Sequence, residues 1–171
     1  MSVCISGGDV WAENTVKLTS DTVYNVIGEI PTSIEMNGHN IISNVMLNAD
    51  NAGLNIIGTD MENLTINGEG LQFAVAAQSS SNAKVLISNV KKVDITGNVI
   101  NDSLLHSNIN GAIIFDKVGL FNITTEKSIG LHAQGGLIYI DADAVSIKSK
   151  DENVIWAQLS NCLLYTSDAA D

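Results

Sequence analysis

Val93-Asp94-Ile95 is one of four apolar–polar–apolar triplets that recur along the chain and decide how it folds. The other three have the same pattern: Leu64-Thr65-Ile66, Phe121-Asn122-Ile123 and Val145-Ser146-Ile147. The first residues of successive triplets lie 29, 28 and 24 residues apart, and a repeat of this length predicts a solenoid of stacked turns. Because side chains alternate along a strand, the first and third residues should face the core and form columns across the turns.

A second set of apolar runs precedes the triplets. The runs begin eight residues before each triplet, at Ile56, Val85, Ile113 and Leu137. Ile34 and Ile42 show the same offset and predict one earlier turn, which brings the expected number to five. A β-sandwich also consists of short strands, but its hairpins would not be expected to keep a constant offset at a recurring period.

A third, looser set of apolar segments follows the triplets, at residues 45–47, 73–75, 104–105, 129–131 and 154–156. Turn-forming pairs such as Asn110-Gly111 and Gly135-Gly136 separate the sets, because Asn and Gly accept the backbone angles of tight turns. Residues 78–83 and 98–110 vary most between turns, and we expect them to form loops at one edge. The sequence therefore predicts an all-β parallel solenoid with about three short strands in each turn.

With this pattern the chain resembles the right-handed parallel β-helix superfamily, in particular the adhesin-like and autotransporter passenger repeat regions of bacterial surface proteins. The resemblance covers residues 15–161 and rests on the triplets, the Asn and Gly turns and the opening Thr15-Val16-Lys17-Leu18-Thr19. It implies a non-enzymatic stalk or binding surface, secreted or on the cell surface, that contacts carbohydrate or a host or matrix ligand. The superfamily also contains polysaccharide lyases and glycoside hydrolases, so a fragment of such an enzyme is the alternative.

The charge of the chain argues against a nucleic-acid partner. The net charge is −11 and all eight basic residues are lysines, too scattered to form a basic stripe along a phosphate backbone. No apolar run approaches the roughly 18 residues of a membrane span, so we expect no membrane contact within this segment. An acidic surface of this kind is typical of a soluble, exported protein.

The two ends of the chain need separate interpretation. In residues 1–12, Val10-Trp11-Ala12 has the small-x-small pattern of a signal-peptidase site, which predicts a signal-peptide remnant; a first strand of a cytoplasmic chain is the alternative. Residues 162–171 resemble a translated sequencing adapter, so we expect an artefactual tail and a β-helix fragment over residues 13–161 that is truncated at its C-terminus. Cys162 would belong to that tail, and with Cys4 it predicts no disulfide framework.

Acidic pairs are the nearest candidates for chemistry. Asp116 and Asp141 are expected one turn apart and could divide acid and base roles, although turn residues that solvate the strand ends are the simpler interpretation. Asp141-Ala142-Asp143 and Asp60-Met61-Glu62 could each offer oxygens to a cation, but such spacings are common by chance in an acidic protein. The arginine that lyases of this fold would use is absent from the sequence.

Two further groups of polar residues could in principle form sites. The outward positions beside the triplets should form two lines, Thr65, Asp94, Asn122, Ser146 and Glu62, Lys91, Gly119, Asp143, and neither line stacks carboxylates on neighbouring turns. His39, His106 and His132 fall in unrelated parts of the pattern without metal-ligand spacing and are interpreted as surface or loop histidines. The sequence thus assigns no catalytic, cofactor-binding or metal-binding residue and no cofactor.

Overall fold

The computed structural model describes residues 15–49, 53–78 and 83–158, together with the backbone of residues 161–166. Within these ranges the chain forms fifteen strands in two sheets and no helix. The segment 1–12, interpreted above as a signal-peptide remnant, lies outside the described residues. The described part of the chain contains no helix with the length and apolarity needed to cross a membrane.

The first sheet contains ten strands. They are β1 (Thr15–Lys17), β2 (Thr22–Tyr24), β3 (Ser33–Glu35), β4 (Ile41–Ser43), β6 (Leu54–Ile57), β7 (Asn63–Asn67), β9 (Lys84–Thr96), β11 (Ala112–Thr125), β13 (Leu137–Ser149) and β15 (Asn161–Thr166). In the early turns the chain forms two short strands, whereas β9, β11 and β13 run without a break through both positions.

The second sheet contains the remaining five strands, in the order β14 (Ile155–Gln158), β12 (Ile129–Gln134), β10 (Ser103–Ser107), β8 (Val75–Ala77) and β5 (Leu47–Ala49). Every strand pair in both sheets is parallel. Parallel pairing between consecutive turns excludes the hairpins of a β-sandwich. The predicted β-solenoid of about five turns is therefore confirmed.

The predicted core columns are also confirmed. Cα pairing joins Leu64, Val93, Phe121 and Val145 in one column and Ile66, Ile95, Ile123 and Ile147 in the next. The members from Leu64 to Ile123 are fully buried, while Val145 and Ile147 are half-buried and pack against the core. Burial alternates residue by residue along β7, as expected for a strand with one face in the core.

The expectation that paired core positions keep a constant offset of eight residues was wrong in part. Ile41, not Ile42, pairs with Leu64, and Ile42 faces outward with 42% of its surface exposed. Leu54, not Ile56, pairs with Val85, and Ile138 rather than Leu137 pairs with Ile113. The corner between the two strand positions differs in length from turn to turn, so strand starts do not keep one spacing.

The third set of segments corresponds to the second sheet, since Leu47, Val75, Leu105, Leu131 and Ile155 pair in sequence. The interpretation of residues 98–110 as a projecting loop was wrong, because β10 lies inside this stretch and is buried throughout. Asn110 does lie in a turn, with a positive φ of 63°, and Asn98 lies outside the strands. Residues 79–82 of the other expected loop lie outside the described residues.

Candidate functional site

A column of left-handed residues marks the corner between the two strand positions of the first sheet. Asp60, Asn89 and Lys117 have φ values of 67°, 54° and 55°. Asn89 lies opposite Lys117, and the backbone N–H of Asp60 donates to the Asn89 carbonyl at 2.7 Å. Between β11 and β13 the register shifts after Phe115, which is the two-against-one geometry of a β-bulge.

This corner encloses a groove of about 340 Å³. We call it the corner groove; it is lined by Asp60, Asn89, Lys117, Val118, Gly119, Asp141, Ala142 and Asp143. Gly119 allows the backbone here to approach the neighbouring turn closely, because a Cβ at this position would stand 2.6 Å from the Lys91 carbonyl oxygen. Three aspartates, an asparagine and a lysine from adjacent turns thus line one cleft.

The structure brings together some of the acidic residues considered from the sequence. Asp141 and Asp143 line the corner groove with Asp60, whereas Asp116 does not line it. The suggested Asp116–Asp141 pair therefore does not define this cleft. The acids meet because the corners of successive turns stack, which the spacing of the triplets could not indicate.

Glu62 is not the outward residue that the sequence analysis expected, because only 1% of its surface is exposed. Its Oε2 accepts hydrogen bonds from the backbone N–H groups of Thr59 at 2.7 Å and Met61 at 3.2 Å. Its Oε1 accepts from the Gly38 N–H at 2.6 Å and the Thr59 hydroxyl at 2.8 Å. Burial alone would raise the pKa of this carboxyl, but the four donors lower the pKa to about 2. Glu62 is thus an ionised structural group and offers no free oxygen to a cation.

A second polar cluster lies on the outer side of the second sheet. His106 on β10 pairs in register with His132 on β12, although the sequence analysis interpreted both as surface or loop residues. That interpretation was wrong, since the two residues are only 6% and 5% exposed. Leu105 and Leu131 beside them belong to the core, so alternation directs the imidazoles to the opposite face of the sheet.

Aromatic rings cover the two imidazoles. Phe73 stacks on His106 with ring centroids 4.5 Å apart, and Trp156 stacks on His132 at 4.9 Å. The imidazoles themselves meet edge to face at 5.0 Å. These four rings form an outer column across adjacent turns, and Trp156 at its edge is 45% exposed.

Asp102 completes the cluster from the turn that precedes β10. One carboxylate oxygen lies 2.9 Å from His132 Nδ1 and the other 3.9 Å from His106 Nδ1. His106 Nε2 lies 2.9 Å from Asn108 Oδ1, and His132 Nε2 is buried without a hydrogen-bond partner. Burial lowers the pKa of His106, and the adjacent His132 acts in the same direction, while Asn108 and Asp102 oppose them. We call Asp102, His106 and His132 the histidine cluster.

The sequence did contain a signal for this cluster. Leu-His occurs at 105–106 and again at 131–132, 26 residues later, and the third apolar set would have placed both histidines at the same strand position. His39, by contrast, lies apart in a turn, with Nδ1 3.7 Å from the Asp21 carboxylate. No protein-family model, curated protein or solved structure matches this chain.

Proposed function

We propose that this chain is a non-enzymatic, adhesin-like β-solenoid, exported to the cell surface or beyond, that binds carbohydrate through the corner groove. One observation supports the ligand: acidic, amide and basic residues from adjacent turns line a single cleft of about 340 Å³. Parallel pairing along the whole described chain supplies a stiff support, which suits a stalk or adhesive surface.

The chemistry of the groove fits a polyhydroxylated ligand. The carboxylates of Asp60, Asp141 and Asp143 accept hydrogen bonds from hydroxyl groups, and the Lys117 ammonium donates to hydroxyl or ring oxygens. The net charge of −11 disfavours a polyanionic ligand, so neutral or amino sugars are expected.

A glycan array probed with the full chain tests the proposal. The expected result is selective binding to neutral or amino-sugar glycans that falls at least about tenfold in Asp141→Asn and Lys117→Met, the loss that one or two charged hydrogen bonds produce. Asp151→Asn changes an exposed carboxylate outside the groove and should bind like the unmodified chain. Absence of glycan binding, or equal binding by all variants, would overturn the proposal.

The acidic lining also favours a second candidate, a carbohydrate-active enzyme. Three carboxylates with a lysine in one groove offer groups for acid and base roles, and Lys117 would replace the arginine that lyases of this fold are expected to use. Incubation with a panel of plant and microbial polysaccharides distinguishes the candidates. Release of reducing ends or unsaturated uronates by the unmodified chain, abolished in Asp141→Asn, would assign an enzyme and replace the non-enzymatic proposal.

A further inference from the structure

The histidine cluster has the composition of a transition-metal site. The ligand atoms of Asp102, His106 and His132 all lie within 4.8 Å of one another. We propose that these three residues bind a divalent transition-metal ion of the Zn²⁺ class and thereby link two adjacent turns of the solenoid. This inference is independent of the proposed carbohydrate function, since none of the three residues lines the corner groove.

The fold itself brings the ligands together. Parallel register fixes His106 directly beside His132, and the turn before β10 brings the Asp102 carboxylate between the two Nδ1 atoms. In a tetrahedral zinc site with bonds of about 2.0–2.1 Å, ligand atoms are about 3.3 Å apart. The present ligand atoms lie within 4.8 Å of one another, so a rotation of the imidazoles and the exposed carboxylate would bring them to that spacing.

The donor types select the class of ion. Two imidazoles and one carboxylate are typical of Zn²⁺, Ni²⁺, Co²⁺ and Cu²⁺, whereas Ca²⁺ and Mg²⁺ prefer sites made of oxygen atoms. Three protein ligands leave a fourth position for water. The acidic chain also favours accumulation of cations near its surface.

Hydrogen bonds around the cluster direct a lone pair of His106 toward the proposed ion. The Asn108 amide oxygen can only accept, so His106 Nε2 carries the proton and Nδ1 presents a lone pair toward Asp102 and toward the Ser103 hydroxyl, which lies 3.4 Å away. An outer hydrogen bond of this kind orients a histidine ligand in many metal sites. On His132 it is Nδ1 that lies 2.9 Å from Asp102, so an ion between the two Nδ1 atoms would displace the proton that this nitrogen shares with the carboxylate. The stacked Phe73 and Trp156 rings cover the faces of the two imidazoles and leave the edges that carry Nδ1 directed toward Asp102.

Isothermal titration of the full chain, without an affinity tag, with Zn²⁺ tests the inference. One saturable site per chain is expected, and saturation should raise the melting temperature by about 5–10 °C at a metal concentration near 100 times the Kd. Trp156 stacks on His132, so Cu²⁺ should quench its fluorescence with the same stoichiometry. Trp156→Phe should abolish most of this quenching while leaving Zn²⁺ binding in place.

Variants locate the site. His106→Gln and His132→Gln should each reduce Zn²⁺ affinity at least about tenfold. Asp102→Asn should do the same, and because 43% of its side chain is exposed, this variant keeps the test valid if the buried histidine variants fail to fold. His39→Gln is the matched control, since His39 also neighbours a carboxylate but lacks a second imidazole. A chain without a saturable site, or one whose affinity is the same in Asp102→Asn and His39→Gln, would overturn the inference.

Discussion

Glu62→Gln should destabilise the solenoid strongly at neutral pH and weakly in acid. The folded pKa of Glu62 is about 2, against 4.5 for an unperturbed glutamate. A carboxyl whose pKa is lowered on folding stabilises the fold above its unfolded pKa and loses that contribution as the pH falls toward its folded pKa. Here the shift corresponds to about 3 kcal/mol at pH 7 and roughly half of that at pH 3.

The geometry explains why glutamine cannot replace this carboxylate. Each glutamate oxygen accepts two hydrogen bonds, but the glutamine amide keeps one oxygen and turns the other position into a donor. In the more favourable orientation the glutamine NH₂ group takes the place of Oε1. The Thr59 hydroxyl can then rotate to accept from it, but the Gly38 N–H, which is also a donor, points at it. That buried N–H then has no acceptor, which costs about 1–3 kcal/mol in addition to the weaker bonds of a neutral group.

Urea unfolding followed by circular dichroism at pH 7 and pH 3 measures the effect. Glu35→Gln is the control, since Glu35 is exposed on β3 and its substitution should change the free energy of unfolding by less than about 0.5 kcal/mol. Glu62→Gln should lose about 3 kcal/mol at pH 7, and the gap should shrink at pH 3. A loss below about 0.5 kcal/mol at pH 7, or a gap that does not depend on pH, would refute the assignment of Glu62 as a buried ionised acceptor.

Three further substitutions test the packing of the solenoid by thermal and urea unfolding. Ile95→Asp places a carboxylate in a fully buried column, so we expect a loss of more than about 4 kcal/mol or failure to fold; an unaltered transition would remove Ile95 from the core. Gly58→Ala directs a Cβ against the Asn89 carbonyl oxygen and to 2.9 Å from Glu62 Oε2, and should cost about 2–3 kcal/mol; wild-type stability would show that this corner can shift. Asn98→Ala removes the acceptor for the Glu126 and Lys127 N–H groups and should cost about 1–2 kcal/mol; no loss would mean that water replaces it.

The core was predictable because each triplet alternates apolar and polar residues, so that its first and third residues always face inward. Leu64 and Ile66 alternate with Thr65, and the same alternation at Val93 and Phe121 is sufficient to identify the stacked columns. The runs before the triplets were harder to align, because consecutive apolar residues, such as Ile56 and Ile57, fit either face. Burial then depends on the length of the preceding corner, which the sequence does not state.

The candidate sites were not predictable in the same way. The corner groove depends on left-handed residues and a bulge at Lys117, and residues of many types occupy such positions. The histidine cluster was missed for a different reason: His106 and His132 were interpreted as surface or loop residues, although both follow apolar segments of the third set. Phe73 and Trp156 cover the outer face of the second sheet, so an outward side chain is buried there.

The polar contacts between turns supply something that the apolar columns cannot. A column made entirely of isoleucine packs almost equally well if one turn slips by two residues along its neighbour, since the same face remains inward. Three polar contacts each join groups that are 24 to 30 residues apart in the sequence, and a slip would break all three. They are the contacts of Glu62 with the Gly38 N–H, of Asn98 with the Lys127 N–H and of Asp102 with His132. Buried and partly buried polar groups at the corners therefore specify the register, while the columns supply most of the stability. A metal ion in the histidine cluster would strengthen one of these register contacts, which gives the proposed site a structural role that does not depend on the ligand of the groove.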